Sequence, residues 1–289
     1  MVRYKQIVHT WMFGNTPFEQ IVHLLACAGA DGLDLSFALD GPYSWKNLLA
    51  SAPKYTRLIR DAGMTVPAAT PLYFKPEIEL CSEDASVRSR GTEFTKGCAE
   101  AAAAYGSHNL LVVPSWVSVH HRLTAPHAEH MKYAAESISK VALYAKTLDV
   151  DLLIEPVNRY RVALVHTIRE ALDLINLVDM DNVHIAADIF HMQMEERAGI
   201  VNGLYQANTQ LKCLHIGDNT RCCPGSGAMD WYAILAAMKA INFSGPLSYE
   251  PAELYFSETR VEQEPEYVAR FVSGLKDGFI YLNNIMDRL

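Results

Sequence analysis

The sequence predicts a single-domain α/β fold, a (β/α)8 barrel, from three observations. Short β-rich apolar runs alternate with longer amphipathic stretches eight times along the chain. The short runs are apolar almost throughout, as strands are when a parallel sheet is covered on both faces. The length, 289 residues, suits one such barrel spanning 1–289. A doubly wound open sheet is the rival, but no G-x-G-x-x-G follows the first strand.

The first strand is read at Lys5–Trp11, and Thr16-Pro17 opens a helix that Gly29 closes, with Thr16 as N-cap and Pro17 at the first helical position. Gly32–Phe37 is the second strand and Trp45–Ala62 its helix, ended by Gly63. Thr65–Tyr73 and the Ala-rich helix Ser86–Tyr105 form the third unit. Asn109–Ser115 and the long helix Pro126–Leu148 form the fourth, Val150–Pro156 and Thr167–Val178 the fifth. Val183–Asp188 is followed by a helix around Gly199–Asn208, and Leu211–Gly217 by Asp230–Ile241. Leu247–Glu250 and Glu264–Met286 complete the eighth unit.

Composition narrows the function. A net charge of −8 argues against nucleic acid as the main partner, because phosphate binding needs clustered Lys and Arg. Neither a signal-peptide core nor an apolar run of membrane-spanning length is found, so no membrane partner and a cytoplasmic location are expected. The six cysteines lack paired C-x-x-C spacing and read as reduced thiols; the vicinal Cys222-Cys223 is the one pair that proximity could make redox-sensitive.

Barrel enzymes carry their chemistry where strands emerge at the C-terminal face. Strands five to eight end there in Glu155, Asp188, His215 and Glu250, each interrupting a buried run. A lone glutamate at such a position is as often a salt-bridged support, and a lone histidine more often a hydrogen-bonded core residue. Three buried carboxylates beside one imidazole, however, call for a compensating cation. Ligation by carboxylate and imidazole without Cys suits one Mn²⁺, Mg²⁺ or Co²⁺ ion better than structural zinc. His191, three residues past Asp188, and Arg221, six past His215, are placed to hold substrate oxygens over the barrel mouth. Trp11, Phe37, Tyr73 and Trp116 fall near the ends of strands one to four, where they would line an apolar wall or simply pack in the core.

The segments IEPVNRY (154–160), DIFHMQMEE (188–196), HIGDNTR (215–221), PGSGAMDW (224–231) and YEP (249–251) resemble the sugar isomerase/epimerase superfamily of xylose-isomerase-like TIM barrels. The likeness is nearest to D-tagatose 3-epimerase-like ketose epimerases and 3-keto-sugar epimerases. The resemblance implies that Glu155, Asp188, His215 and Glu250 bind Mn²⁺ or a similar ion, and that His191 and Arg221 hold substrate. It also implies that Glu155 and Glu250 are catalytic, exchanging protons on opposite faces of a metal-stabilised enediolate. The expected partners are a small-molecule carbohydrate and further copies of the chain, in a dimer or tetramer. The Pro224-Gly225-Ser226-Gly227 turn alone does not establish a phosphate site, so an unphosphorylated sugar is favoured.

One position departs from the family. Arg161 stands where ketose 3-epimerases carry a substrate-contacting glutamate, which makes an acidic or glycosidic keto-sugar plausible. Arg161 is therefore read as substrate-binding, as is Trp116 from its place near the end of the fourth strand. Three rivals are weighed. Apurinic endonucleases need extra histidines on strands three and four that this chain lacks. A dehydratase (lyase) would use the same four ligands to expel a hydroxyl, and a sugar sensor would bind without turnover.

Overall fold

The computed structural model describes residues 3–251 and 265–289. Eight parallel strands close into a barrel in chain order: β1 Gln6–His9, β2 Gly32–Phe37, β3 Thr65–Pro71, β4 Asn109–Val112, β5 Asp151–Ile154, β6 Val183–Asp188, β7 Leu211–Ile216 and β8 Leu247–Tyr249. Closure is made by β1, which pairs with both β2 and β8, so Val8 lies opposite Leu33 on one side and Tyr249 on the other. The surrounding helices are α1 Phe18–Ala28, α2 Trp45–Asp61, α3 Ala85–Ala104, α4 His127–Lys146, α5 Ile168–Val178, α6 Ile189–Glu195, α7 Ile200–Ala207, α8 Trp231–Ala240 and α9 Pro265–Met286. Glu264, the expected start of the last helix, lies outside the described residues.

The core sits between sheet and helices. Val8, Leu33, Leu35, Leu152, Ile185 and Leu214 are fully buried there. Each such side chain contributes about 1.5–3 kcal/mol by leaving water. Local signals set the helix ends. Thr167 caps α5 in a reciprocal capping box with Glu170. Gly29 stops α1 at φ +89°, a left-handed conformation that favours glycine.

Two sequence expectations are corrected. Thr16 does not cap α1; Pro17 occupies the cap position, and the Thr16 carbonyl instead accepts the Tyr43 hydroxyl. The stretch after β6 is not a loop leading to one helix but the short helix α6, whose first turn is capped by Asp188 itself. Its start is hidden in the sequence because the capping residue is also the last residue of a strand.

Candidate active site

The four predicted ligands converge at the C-terminal mouth of the barrel. Asp188 and His215 are register partners on β6 and β7. Glu155 and Glu250 each lie one residue past a strand, fixed by backbone bonds from Glu155 N to Val112 O (3.1 Å) and from Glu250 N to Ile216 O (2.9 Å). Donor atoms of all four lie within 4.8 Å of one another. His215 Nδ1 is 3.0 Å from Glu155 Oε1 and 3.3 Å from Glu250 Oε2. Both His215 Nδ1 and Glu155 Oε1 are buried without a hydrogen-bond partner. The other imidazole nitrogen, Nε2, bonds to Asp34 Oδ2 at 3.1 Å. An imidazole lone pair and a carboxylate oxygen facing each other in a dry site are a poor hydrogen-bond pair and a good pair of metal ligands. The donor set therefore fits a divalent ion.

Electrostatics in the absence of a cation point the same way. Burial pushes Glu155 up to about 7, against the opposing pull of His215. Burial would raise Glu250 as well, but Arg221, His215 and His9 outweigh it and hold its carboxyl well below the usual range. His215 is raised well above its ordinary value despite burial, because Glu155 and Asp34 favour the charged ring. Both shifts favour protons on groups that a bound cation would require unprotonated.

Arg221 and His191 flank this cluster. Arg221, at φ +61°, reaches Asp188 Oδ2 (2.5 Å) and Glu250 Oε2 (3.0 Å), and its guanidinium lies over the Phe190 ring. Its loop is shaped by buried Asp218, which accepts from the backbone of Gly225, Asn219 and Met229 and from the Trp231 indole. The Pro-Gly-Ser-Gly turn therefore wraps a carboxylate, and a Cβ on Gly227 would meet Asp218 Oδ1 at 2.3 Å. His191 accepts from the Asn158 amide at Nδ1 (2.8 Å), which leaves its Nε2 hydrogen toward Asp188, 3.6 Å away, and the pocket. Burial lowers its pKa to about 4, so the ring is neutral. Glu195 anchors α6 by pairing with Arg159, and Glu196 accepts from Ile168 N. The paired glutamates of the DIFHMQMEE segment thus hold the helix that carries His191.

Arg161 lines the same pocket and is half-buried, its pKa lowered by burial and by neighbouring Arg221. Trp11, Tyr73 and Phe74 form the apolar wall. Trp116 is displaced from it. Its indole donates to Phe74 O, its ring tilts against His121, and the next residue, Val117, faces the pocket instead. Phe37 is fully buried in the core. His121 pairs with Glu79 at 2.7 Å, tying the loop after β4 to the loop after β3.

Sequence reasoning missed Asp34, His9 and the Trp11–Glu250 contact. The signal for Asp34 was available, since a carboxylate flanked by leucines inside a buried strand needs partners. Its partners, on β3, β7 and β8, were not.

A closed parallel barrel with a carboxylate–imidazole centre at its strand ends defines the class. The chain belongs to the xylose isomerase-like TIM barrel family, whose model matches residues 22–271. It is 26% identical over 253 residues to a D-psicose 3-epimerase of Agrobacterium fabrum, covering 86% of this chain and 83% of the relative. It is 28% identical over 239 residues to a 3-dehydro-D-guloside 4-epimerase of Escherichia coli, covering 78% and 87% respectively. A solved D-psicose 3-epimerase structure superposes with a TM-score of 0.83 at 21% identity, over 97% of this chain and 99% of that one. Among the described residues no helix is long and apolar enough to cross a membrane.

Proposed function

We propose that this chain is a carbohydrate epimerase, an isomerase that inverts the carbon beside the carbonyl of a keto-sugar, of the ketose 3-epimerase or 3-keto-sugar epimerase type. The observation that carries the proposal is the approach of Glu155 and Glu250, from β5 and β8, to the same Nδ1 atom of His215. A divalent ion held by Glu155, Asp188, His215 and Glu250, Mn²⁺ before Mg²⁺ or Co²⁺, would polarise the carbonyl and adjacent hydroxyl and so acidify the C–H between them.

The chain's own residues supply the rest. Inversion by two bases requires one carboxyl to be protonated while the other is ionised. The ionised glutamate takes the proton from one face of the sugar carbon. The protonated one returns a proton to the other face, and the two carboxyls exchange roles. His191 Nε2 and the Arg221 guanidinium orient the sugar oxygens, while Trp11 and Tyr73 exclude water. Arg161 favours an acidic or glycosidic keto-sugar over a free neutral ketose.

Six free cysteines suit a reducing, cytoplasmic setting. Assembly into a dimer or tetramer belongs to the same reading. Its support is the exposed apolar Phe74, Val119 and Tyr160 on mouth loops, and light scattering tests it.

Turnover of candidate keto-sugars in D₂O tests the chemistry. One deuterium on the inverted carbon, with no loss of water, is expected. Glu155→Gln and Glu250→Gln should each stop inversion, costing about 10²–10⁴-fold or more. A dehydrated product would establish a lyase, and no exchange with any keto-sugar would leave a sensor.

A further inference from the structure

Asp34 lies at the centre of the barrel, far in sequence from every residue assigned to the site. It is fully buried, and its two oxygens are met by side chains from three other strands, only one of which pairs with β2. Oδ1 accepts the Thr70 hydroxyl of β3 at 2.8 Å. Oδ2 accepts the Ser248 hydroxyl of β8 at 2.9 Å and faces His215 Nε2 of β7 at 3.1 Å. A carboxylate that has only acceptor capacity admits only one arrangement of the opposing ring, with the hydrogen on Nε2. In the neutral ring that binds a metal, the lone pair is then on Nδ1, the atom that lies 3.0 Å from Glu155 and 3.3 Å from Glu250. Thr70 and Ser248 brace the carboxylate from opposite sides, so the ring's orientation as well as its tautomer is set from β2.

We infer that Asp34 is a positioning residue for the metal centre: it holds His215 in the Nε2–H tautomer and thereby presents Nδ1 as a ligand. The inference rests on the metal-dependent reading above. It differs from a packing role, which would stabilise the barrel without regard to which imidazole nitrogen carries the hydrogen. Asparagine is the informative replacement. It is nearly isosteric: its oxygen still accepts from Thr70, while an amide nitrogen in the place of Oδ2 can donate to Nε2 and to the Ser248 oxygen, and so allow the Nδ1–H tautomer, which has no lone pair for a metal.

The experiment titrates EDTA-stripped chain with Mn²⁺ by calorimetry, without substrate. Asp34→Asn should weaken Mn²⁺ binding about 10–100-fold, the usual effect of losing such an outer partner. Ser248→Ala, which leaves the Asp34–His215 pair intact, should weaken it far less. Nitrogen-15 spectra of the Mg²⁺-loaded wild type, with His215 assigned by its loss in His215→Gln, should show the hydrogen on Nε2. Asp34→Asn binding Mn²⁺ as tightly as wild type would overturn the inference, and so would a wild-type hydrogen on Nδ1. The second measurement needs no folded variant of Asp34. Failure of the wild type itself to take up a divalent ion would remove the metal-dependent reading and this inference together, whereas an indifferent Asp34→Asn removes only the inference.

Discussion

The Trp11 indole N–H, just past β1, donates to Glu250 Oε1 across 3.1 Å, while the other oxygen of Glu250 faces His215 and Arg221. One oxygen of this glutamate is thus committed to the wall of the pocket and the other to the charged cluster. Trp11→Phe keeps the ring and removes the donor. Because hydrogen bonds to charged groups contribute about 1.5–3 kcal/mol, kcat should fall roughly 10-fold or more. Mn²⁺ affinity should hold within a few-fold, since Oε2 is untouched. Equal kcat in the two proteins would mean that the contact is incidental.

Metal uptake should depend on pH with a definite sign. His215 carries a raised pKa and Glu155 one near 7 when no cation is present, so an ion must displace protons to bind. Affinity should weaken as pH falls from 8 to 6. Calorimetry in buffers of different ionisation enthalpy should report proton release on binding of about one ion per chain. Three zinc ions per chain would point instead to a nuclease-type centre.

The ligand and substrate roles separate by mutation. Asp188→Ala should lose both metal and turnover. His191→Ala should keep metal and lose turnover by about 10–100-fold, the cost of one hydrogen bond to a charged or developing oxyanion. A His191→Ala chain that no longer binds Mn²⁺, beside an Asp188→Ala chain that does, would reverse the two assignments.

Arg161 lines the pocket beside Arg221, and its replacement by glutamate changes the local charge by two. Arg161→Glu should shift relative kcat/KM toward neutral free ketoses across a panel of keto-sugars. An unchanged ranking would show that the guanidinium does not read the substrate.

Much of this site is legible in the order of the residues. Glu155, Asp188, His215 and Glu250 were identifiable because strand ends follow local apolar patterning, and because a buried carboxylate at such an end stands out against its neighbours. Six of the eight strand-end expectations extend beyond the observed strand by one or more residues, without moving any of these four residues off the mouth. Trp116 fared differently. Its position near a strand end is a local property, whereas its turn away from the pocket depends on Phe74, on the loop after β3, and on His121 further along its own loop.

The sequence by itself determined the repeat of strands and helices, the mouth of the barrel and the identity of the charged residues there. These follow from periodicity over a few residues and from the cost of burying a charge. Only the tertiary structure decided that Asp34 meets His215, that Trp11 meets Glu250, and that the glycine-rich turn wraps Asp218. The first two contacts join residues 181 and 239 positions apart, brought together when β1 pairs with β8 and the barrel closes. No local pattern encodes such a meeting, because it depends on the register of every strand between.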